Sequence, residues 1–437
     1  MKHLIKATVP LALCIVVSGC AWVGGVIAPL LPGQTGAPDL QTGTVTATPE
    51  PTPSDTPTKT PTATPTATPS PTPADPYPVL KRYNSQIPPA LAVNLAYEKY
   101  ATPLDYYVAL KSANLRAAPD AKAKKLQSVS AGERFALVAQ VQGVDGKTPW
   151  FQVRYSDKKG EHDAYVLSST GRDRSFRLGN MLTRIQSLEA VTNRENTVFI
   201  RNYKNRNGKP PALVNGSPVD EMGYNRSQSA PAYRDAQKSS FTYAPDGMLG
   251  QRLGSADGMS LVYFPSLGEE RWVPDKYLSS KPDSGEDAIE DLTQAIVVDR
   301  NYQNIAVFEK RDGIWTLLSM NYISTGKNGG YSLPTPLGDF MVQDRVSKFY
   351  YYKDGTKIID GYAPWGIRFC GGGYLHGVPR TIHYDANGKR VLPAPAEGLR
   401  SLGTTPQSHM CVRNYTSHAK FMYDWTKVGS AAVLVME

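Results

Sequence analysis

Cysteine is scarce in this 437-residue chain, which contains four, and no spacing of Cys, His, Asp or Glu matches a metal-ligand motif. The sequence therefore predicts no metal and no other cofactor. It also contains no nucleic-acid-binding motif, so we predict no nucleic-acid partner although the net charge is +9. This charge is compatible with an anionic partner, such as a wall polymer or lipid head groups, and equally with ordinary solubility.

The first 20 residues have the order of an export signal, in which two lysines precede the apolar run 7–17. The segment then ends in Val-Ser-Gly-Cys, which resembles the bacterial lipobox, and this resemblance implies that Cys20 is lipidated and becomes the new N-terminus. Apolar residues continue from 21 to 31, so an uncleaved signal anchor is the alternative, although two glycines and two prolines weaken such a helix. Both readings place the body of the protein outside the cytoplasm and attached to a membrane.

Residues 21–78 are predicted to be a disordered linker rich in threonine and proline. The part from 48 to 78 has almost no apolar residues and therefore cannot bury a core. Its prolines favour extended polyproline II structure, so we interpret it as a spacer. Residues 79–105, which follow, form a connector without a clear assignment.

Two β-domains are predicted after this connector. Short alternating strands separated by turn residues run from 106 to 170. Within them, residues 114–119 (Asn-Leu-Arg-Ala-Ala-Pro), Trp150 and an Ala-Tyr-Val strand resemble a bacterial SH3 domain, a small β-barrel often found on wall-acting enzymes. Residues 171–285 are predicted to be a second β-domain, because their C-terminal part resembles the end of another SH3-like unit.

Two stretches near the C-terminus carry residue types used in nucleophilic catalysis. They are residues 371–377 (Gly-Gly-Gly-Tyr-Leu-His-Gly) and 408–413 (Ser-His-Met-Cys-Val-Arg). A free thiol has a pKa near 8.5, so an acyl-transfer cysteine needs a base, and histidine titrates in the suitable range. We identify Cys411 as the candidate nucleophile and His376 as its candidate base. From the residues alone, a buried structural cysteine remains the alternative.

Further motifs precede these two in a fixed order, namely residues 296–299 (Ile-Val-Val-Asp), 324–327 (Ser-Thr-Gly-Lys), 335–340 (Thr-Pro-Leu-Gly-Asp-Phe) and 364–369 (Pro-Trp-Gly-Ile-Arg-Phe). Together with the Cys and His motifs they resemble the L,D-transpeptidases of the YkuD family, over residues 290–437. The resemblance implies a β-sandwich-like catalytic domain with a short helix. The fold class predicted for the whole chain is therefore mainly β, with SH3-like β-barrel domains before the catalytic domain.

The chain departs from the family pattern at two places. Met410 stands where the family usually has glycine, which puts the backbone geometry beside Cys411 in question. The gap between His376 and Cys411 is also longer than in the family, which implies an inserted loop at 380–403. Because long ordered loops are more often functional than idle, we expect this loop to act as a lid over the site.

The resemblance also implies a reaction on peptidoglycan stem peptides. Family members cleave a stem tetrapeptide after its third residue, release D-alanine, and transfer the acyl group to a neighbouring stem as a 3→3 crosslink through a cysteine thioester. Other members hydrolyse the donor as L,D-carboxypeptidases or attach wall proteins. A non-catalytic wall-binding lipoprotein is an alternative from another class. A wall peptidase of the NlpC type is disfavoured because that family places Cys before His.

Other residues are assigned around this pair. The candidates are, as oxyanion or supporting groups, Met410, His409 and Ser408, and as substrate-binding groups, Arg413, Tyr374 and Trp365. The guanidinium of Arg413 suits a substrate carboxylate, and a structural salt bridge is the alternative. An aromatic residue at either of the two other positions more often belongs to a core than to a platform for substrate.

Three residues remain as secondary candidates. An even number of cysteines in an exported body suggests a disulfide between Cys370 and Cys411. An extended chain from Cys370 to His376 spans about 20 Å, however, so we expect Cys370 to be a small buried residue away from the site, unless the glycines fold the chain back. His383 is the next candidate base, in an exposed position beside a turn. His418 is expected at the surface, near the start of a helix running from 416 or 417 to 427.

These assignments predict a membrane-anchored lipoprotein of the cell envelope, with stem peptides and membrane lipid as partners. We expect Cys20→Ser to abolish labelling by a fatty-acid analogue and to shift the protein from the membrane fraction to the soluble fraction, because the lipidated residue is lost. One acyl chain anchors only marginally, so a stable anchor at Cys20 would carry at least two. Cys14→Ser, inside the signal, is the matched control and should keep the label. Unchanged labelling of Cys20→Ser would refute the lipoprotein assignment and favour the signal anchor.

Overall fold

The computed structural model of this chain describes residues 76–100, 102–193, 195–203, 228–282, 291–329, 332–354, 356 and 358–437. The predicted signal segment, Cys20 and nearly all of the Thr/Pro linker lie outside the described residues. Parts of the predicted second β-domain, 204–227 among them, lie outside them as well. Within the described part of the chain, no helix has both the length and the apolar character needed to cross a membrane.

The first sheet is antiparallel and occupies residues 79 to 175. In chain order the first strands are β1 (Val79–Arg82), β2 (Ala92–Val93), β3 (Asp105–Ala109), β4 (Ala113–Arg116), β5 (Lys125–Val129), β6 (Arg134–Gln142), β7 (Pro149–Asp157), β8 (Gly160–Leu167) and β9 (Gly171–Ser175). All except β2 form one eight-stranded sheet in the order β5-β4-β8-β7-β6-β3-β9, with β1 paired to β6. Tyr107, Leu115 and Val153 are fully buried in its core.

A helix that the sequence analysis did not predict follows this sheet. Helix α1 (Leu178–Glu189) lies in the region predicted to contain only strands, so that prediction was incomplete. Its buried residues recur at the three- and four-residue spacing of one helix face and are Leu178, Met181, Leu182, Ile185 and Leu188. They pack into the hydrophobic core shared with the C-terminal sheet, where the helix covers one face of that sheet.

The second sheet comprises β10 (Thr197–Ile200), β11 (Ser229–Tyr233), β12 (Phe241–Pro245), β13 (Leu249–Ala256), β14 (Met259–Phe264), β15 (Glu269–Pro274) and β16 (Leu278–Ser279). These seven strands are ordered β12-β11-β15-β14-β13-β10-β16. Ile200, Val262 and Phe264 are fully buried and belong to the same hydrophobic core as the C-terminal residues. The second sheet is therefore packed directly against the region that carries the candidate site.

The C-terminal region contains a six-stranded sheet, a five-stranded sheet and a separate pair of strands. Its elements are β17 (Gln294–Asp299), β18 (Asn304–Arg311), β19 (Ile314–Tyr322), β20 (Gly338–Met341), β21 (Asp344–Tyr352), β22 (Ile359–Cys370), β23 (Gly373–His376), β24 (Arg380–Thr381), β25 (His383–Tyr384), β26 (Arg390–Val391), β27 (Val412–Arg413), α2 (Thr416–Trp425) and β28 (Ala431–Met436). One sheet has the order β2-β19-β18-β17-β28-β20. The other has the order β21-β22-β23-β27, with β24 paired to β22, and β25 and β26 pair separately.

The apolar run in β17 explains why these sheets stack. Ile296 and Val298 point into the core that also contains Ile367 and Leu375 of the other sheet. The intervening Val297 points to the opposite face, into the core that contains α1. A strand buried on both faces is expected to be apolar throughout, as this one is. The two sheets thus form the predicted β-sandwich, and the predicted mainly β fold class is confirmed.

Helix α2 begins near the predicted position and ends two residues before the predicted end. It has no side-chain N-cap: the Thr416 hydroxyl instead accepts the Val378 N–H at 3.0 Å, so it ties the helix to the segment after His376. His418 is fully buried, contrary to the expected surface position. Its Nε2 lies 2.9 Å from the Ser319 hydroxyl, and its ring packs beside Tyr97.

The insertion between His376 and Cys411 is attached to the domain on both sides of an exposed hairpin. Near its start, β24 pairs with β22, and near its end Leu402 is buried in the core. Glu397 accepts a hydrogen bond from the Tyr100 hydroxyl at 2.9 Å. Every residue of β25 and β26 between these anchors is exposed. The segment that we expected to be a lid is thus fixed at its ends, and only the hairpin extends into solvent.

The burial of His418 predicts a specific loss of stability in acid. Burial lowers the pKa of His418 to about 3, whereas an unfolded histidine has a pKa of about 6.5. Between these values the unfolded chain binds one more proton at this residue, so the free energy of unfolding falls by about 1.4 kcal/mol per pH unit as the pH decreases. His418→Gln should reduce the slope by that amount in urea unfolding measured from pH 4 to 6.

Ser319→Ala is the matched control for this measurement. It removes the hydroxyl beside His418 but keeps the buried imidazole, so the unfolding free energy should be lower at every pH while the slope stays that of the wild type. An unchanged slope in His418→Gln would contradict the prediction.

Candidate active site

A short parallel pairing brings the two catalytic motifs together. Strand β23 pairs with β27 in register Leu375 to Val412 and His376 to Arg413. Leu375 and Val412 are both fully buried in the sandwich core. Because side chains alternate along a strand, His376 and Arg413 project from the opposite face, and so does Cys411, which precedes Val412. The register therefore places the candidate base, the candidate nucleophile and an arginine on one face.

Cys411 lies at the edge of a small aromatic cluster. It is partly exposed and packs against the cluster of Phe349, Ala363 and Tyr374. Its Sγ lies 3.6 Å from the Gly372 carbonyl oxygen, within reach of a hydrogen bond from the thiol. The thiol thus has access to solvent on one side and contacts the Gly-rich turn on the other.

His376 is a buried neutral imidazole. It is 3% exposed and meets the Phe349 ring edge-on at 5.1 Å between ring centroids. Desolvation, with a smaller contribution from the charge of Arg413, lowers the pKa of His376 to about 3. Its Nδ1 lies 2.5 Å from the Gly377 carbonyl oxygen, which can only accept, so Nδ1 carries the proton. The lone pair is therefore on Nε2, which is the nitrogen able to act as a base.

The Ser-Thr-Gly segment fixes the backbone before Cys411. The backbone N–H groups of Gln407 and Ser408 donate to the Thr325 carbonyl at 2.9 and 3.1 Å. A Cβ on Gly326 would lie 2.8 Å from the Met410 Cα and 2.3 Å from a backbone oxygen, so the two segments approach more closely than any side chain allows. Ser408 is buried and its hydroxyl donates to the Cys411 carbonyl, which closes the turn at the nucleophile.

Met410 occupies its position without backbone strain. It is absent from the described residues with positive φ, so the glycine usual in the family is not required here by backbone conformation. Its carbonyl accepts a hydrogen bond from the Thr335 hydroxyl at 2.7 Å. No described residue accepts a hydrogen bond from its N–H group, which therefore remains able to donate to a bound ligand.

Arg413 is a cation without an ionic partner in the described part of the chain. Its Nε is buried and has no hydrogen-bond acceptor there, and no carboxylate pairs with its guanidinium. Burial lowers the pKa of Arg413, while Cys411 and Tyr351 act in the opposite direction. The structural salt bridge considered as its alternative is thus not observed among the described residues, and Arg413 lies on the same strand face as Cys411.

The two predicted aromatic substrate-binding residues occupy different environments. Tyr374 is 1% exposed and stacks on Phe349 at 4.7 Å between centroids, so it supports the site from within the core. Trp365 packs against Tyr423 of α2 at 5.4 Å, with the Lys420 amine over its ring at 4.9 Å. Because Trp365 lies outside the aromatic cluster that contains Cys411, the structure does not support a substrate-binding role for it.

Neither His409 nor His383 belongs to the aromatic cluster against which Cys411 packs. The His409 side chain is about half exposed and pairs with Asp354 at 3.1 Å, so it points away from Cys411, and only its backbone helps to hold the loop. His383 is exposed on β25. Among the residues described, no group of three or more His, Cys, Asp or Glu side chains is arranged to hold a metal ion.

Cys370 is closer to the site than the sequence suggested. Within the described part of the chain, neither its thiol nor that of Cys411 forms a disulfide bond. We expected the chain from Cys370 to His376 to be extended, but Cys370 pairs with Gly373 across a tight turn, so the glycines fold the chain back. Cys370 is fully buried, and burial and the charge of Asp246 raise the pKa of its thiol well above the ordinary value.

Two family models match parts of this chain. The model described as the L,D-transpeptidase catalytic domain (YkuD) matches residues 293–435, and the model described as the bacterial SH3 domain matches residues 111–171. Both resemblances are confirmed: the C-terminal sandwich is an L,D-transpeptidase catalytic domain, and an SH3 domain precedes it. No curated protein sequence matches the chain.

Several solved structures are similar to the chain. An L,D-transpeptidase from Mycobacterium smegmatis is 20% identical over 42% of this chain and 80% of that one, with a TM-score of 0.26. L,D-transpeptidase 3 from Mycobacterium tuberculosis, in complex with a faropenem-derived adduct, is 18% identical over 38% and 73%, with a TM-score of 0.25. Because these scores lie below 0.5, the domain assignment rests on the family models.

A third similar structure is longer than the matched region. It is a fused Zn-dependent amidase/peptidase/peptidoglycan-binding domain-containing protein from Clostridium acetobutylicum, 19% identical over 35% of this chain, with a TM-score of 0.24. This chain covers 56% of that protein's length.

The negative φ of Met410 predicts the effect of restoring the glycine usual in the family. Since there is no strain to relieve, Met410→Gly should lower the free energy of unfolding, by about 0.4–1 kcal/mol, through the greater freedom of the unfolded chain. Gly326→Ala is the control, and it should destabilise more because its Cβ has no space. Urea unfolding of both variants measures this, and a stabilised Met410→Gly would show that Met410 is strained after all.

Proposed function

We propose that the L,D-transpeptidase catalytic domain in this chain forms 3→3 crosslinks between peptidoglycan stem peptides through a thioester on Cys411. The observation that carries the proposal is the register of β23 and β27, which brings His376 and Cys411 to one face within the domain that the family model matches. The direction of the Nδ1–H bond of His376 supports it further, because that bond leaves Nε2 free to accept a proton.

The first half-reaction acylates the enzyme. The Sγ of Cys411 attacks the carbonyl carbon of the bond between the third and fourth residues of a donor stem, while Nε2 of His376 takes the thiol proton. The tetrahedral intermediate then collapses with loss of the D-alanine amine, which receives that proton from the imidazolium. A thioester remains on Cys411. The imidazolium exists only while the intermediate carries negative charge, consistent with the low pKa of resting His376.

The second half-reaction transfers the acyl group. The side-chain amine of a neighbouring stem attacks the thioester carbon, and Nε2 of His376 takes a proton from that amine. Expulsion of the Cys411 sulfur with return of the proton regenerates the thiol and leaves an amide crosslink. Water in place of the amine gives the L,D-carboxypeptidase reaction of the same family, and attachment of a wall protein differs only in the acceptor.

Two backbone N–H groups and one arginine are assigned to binding negative charge on the substrate. The N–H groups of Met410 and Cys411 would stabilise the oxyanion, and loss of one such donor typically costs 10²–10³-fold in rate. The Met410 N–H has no acceptor in the described part of the chain, which supports this role. Arg413 would bind a substrate carboxylate. This role is supported by its buried Nε, which has no acceptor in the described part of the chain, and by its position on the face that carries Cys411.

A non-catalytic wall-binding protein is the competing function. Two departures from the family pattern suggested it, namely Met410 and the insertion at 380–403. The unstrained backbone of Met410 and the anchored ends of the insertion both favour the enzyme. The proposed location is the cell envelope outside the cytoplasm, with anchoring through Cys20 as a separate proposal about residues that lie outside the described part of the chain.

Removal of the nucleophile tests the proposed chemistry. Cys411→Ala should abolish crosslinking of stem peptides while the fold is retained, because the alanine side chain fits where the cysteine stood. Crosslinked dimers are measured by mass spectrometry of the muropeptides after incubation. Cys370→Ala is the control and should remain active, since the Cys370 thiol is buried and fully outside the proposed chemistry. Wild-type crosslinking by Cys411→Ala would eliminate the mechanism.

Removal of the base tests the assignment of His376. His376→Ala should slow acylation of Cys411 by a carbapenem or an activated ester by about 10²–10⁴-fold, the usual contribution of general-base catalysis. His383→Ala, which removes an exposed imidazole, should react at the wild-type rate. Acylation is followed by intact mass, and the opposite pattern in the two variants would transfer the role of base to His383.

A further inference from the structure

A buried carboxylate from the second sheet reaches the turn that contacts the nucleophile. Asp246 lies in the connection between β12 and β13 and is 0% exposed. Its Oδ2 accepts the Gly371 N–H at 3.0 Å. One residue further along, the Gly372 carbonyl lies 3.6 Å from the Sγ of Cys411. Asp246 is therefore connected to the thiol through a single turn of backbone.

The contact between the Asp246 connection and the catalytic sheet is close. A Cβ on Gly247 would lie 2.0 Å from the Phe369 carbonyl oxygen, so no larger residue fits there without movement of one segment. The Met341 N–H donates to the Gly247 carbonyl at 2.9 Å. Gly371 is also confined, because a Cβ there would lie 2.6 Å from Oε1 of Gln228, the residue before β11. Residues beside strands β11, β12 and β13 thus contact the Gly-rich turn at Gly371 and the end of β22 that leads into it.

Asp246 has other hydrogen-bonding partners, and they define the alternative role. Arg368, on β22, is 2% exposed in its side chain and lies 3.4 Å from Oδ2, so the two form a buried ion pair. Gln343 Nε2 also lies 3.4 Å from Oδ2, and Oδ1 accepts the Asn202 N–H at 2.6 Å. Of these contacts, the bond from Gly371 is the shortest to Oδ2. Charge compensation of Arg368 and support of the turn are therefore separable functions of one carboxylate.

We propose that Asp246 is a positioning residue of the active site: its carboxylate holds the turn at Gly371 and Gly372 so that the Gly372 carbonyl fixes the position of the Cys411 sulfur on the face that carries His376. The proposal rests on the function proposed above. It assigns a part of the catalytic apparatus to a residue outside residues 293–435, the segment that the family model matches. A catalytic domain without the second sheet lacks this support.

Two single substitutions separate the hydrogen-bond acceptor at position 246 from its negative charge. Asp246→Asn and Asp246→Ala both remove the negative charge that faces Arg368. Only Asp246→Asn keeps an oxygen that can accept the Gly371 N–H. Its Nδ2 then faces the Asn202 N–H in place of Oδ1, so both variants lose stability and differ in the support of the turn. The proposal predicts that Asp246→Asn keeps kcat within about threefold of the wild type, whereas Asp246→Ala loses about 10²-fold in kcat with little change in KM, the cost of misplacing a reacting group by about 1 Å.

The double variant Asp246→Leu with Arg368→Met provides the converse test. It removes both charges together, and such a replacement of a buried ion pair by apolar residues is often neutral for stability. The turn nevertheless loses its acceptor. We expect this variant to fold with a lower free energy of unfolding in urea, because the buried Asn202 and Gly371 N–H groups lose their acceptor, and to show the same loss of kcat as Asp246→Ala. If it does not fold, the comparison of Asp246→Asn with Asp246→Ala decides.

Alkylation of Cys411 by iodoacetamide distinguishes failure of this proposal from failure of the proposed function. The rate is measured on the full chain by peptide mapping, which separates Cys411 from the other cysteines and needs no stem peptide. It should change by at least tenfold in Asp246→Ala and in the double variant, and stay near the wild-type rate in Asp246→Asn. A wild type without turnover but with this alkylation pattern would refute only the function.

Asp339→Asn is the matched control for loss of a buried carboxylate. Asp339 pairs with Arg184 of α1 at 2.8 Å and its side chain is 2% exposed, but it does not contact the turn at Gly371. Its loss should lower stability and leave the Cys411 alkylation rate unchanged. The proposal is overturned if Asp246→Asn is as impaired as Asp246→Ala, or if the double variant alkylates and turns over like the wild type.

Discussion

The parallel pairing of β23 with β27 is the contact on which the active site depends. Leu375 and Val412 anchor it because their burial in the sandwich core fixes both strands in depth and register. The opposite face then presents His376, Cys411 and Arg413 without further adjustment. A slip of one residue would turn these groups into the core and Leu375 outward, at the full cost of burying polar groups. The chemistry is thus positioned by hydrophobic burial of the residues between the functional ones.

Burial also determines the protonation of the site. Desolvation and the Arg413 charge keep the imidazole of His376 neutral, and the Gly377 carbonyl selects Nδ1 as its protonated nitrogen. In the proposed mechanism a neutral imidazole therefore activates Cys411 during the reaction, in contrast to a resting thiolate–imidazolium pair. The Ser-Thr-Gly segment and the second sheet hold the backbone on both sides of this pair, so the site is assembled from three separate parts of the chain.

Local patterns in the sequence predicted which residues form strands better than they predicted how the elements pack together. The run at Ile296 predicted a strand, since an apolar strand buried on both faces has few alternatives. Helix α1 was missed although its apolar spacing was visible, because the surrounding residues are rich in turn formers. His418 was expected at the surface but is buried, because local sequence does not say which face of an element meets another element. Asp246 had no signal at all, since its role depends on a contact between residues more than a hundred positions apart.

The most direct test of this account is the mass of the full chain after incubation with a donor stem tetrapeptide in the absence of an amine acceptor. We predict a covalent adduct equal to the donor minus D-alanine, located by peptide mapping on Cys411 and released by hydroxylamine as expected for a thioester. The adduct should form more slowly when Arg413 is replaced by methionine, which keeps the side-chain length and removes the charge. Release of D-alanine without an adduct on Cys411, or an adduct on another residue, would contradict the account.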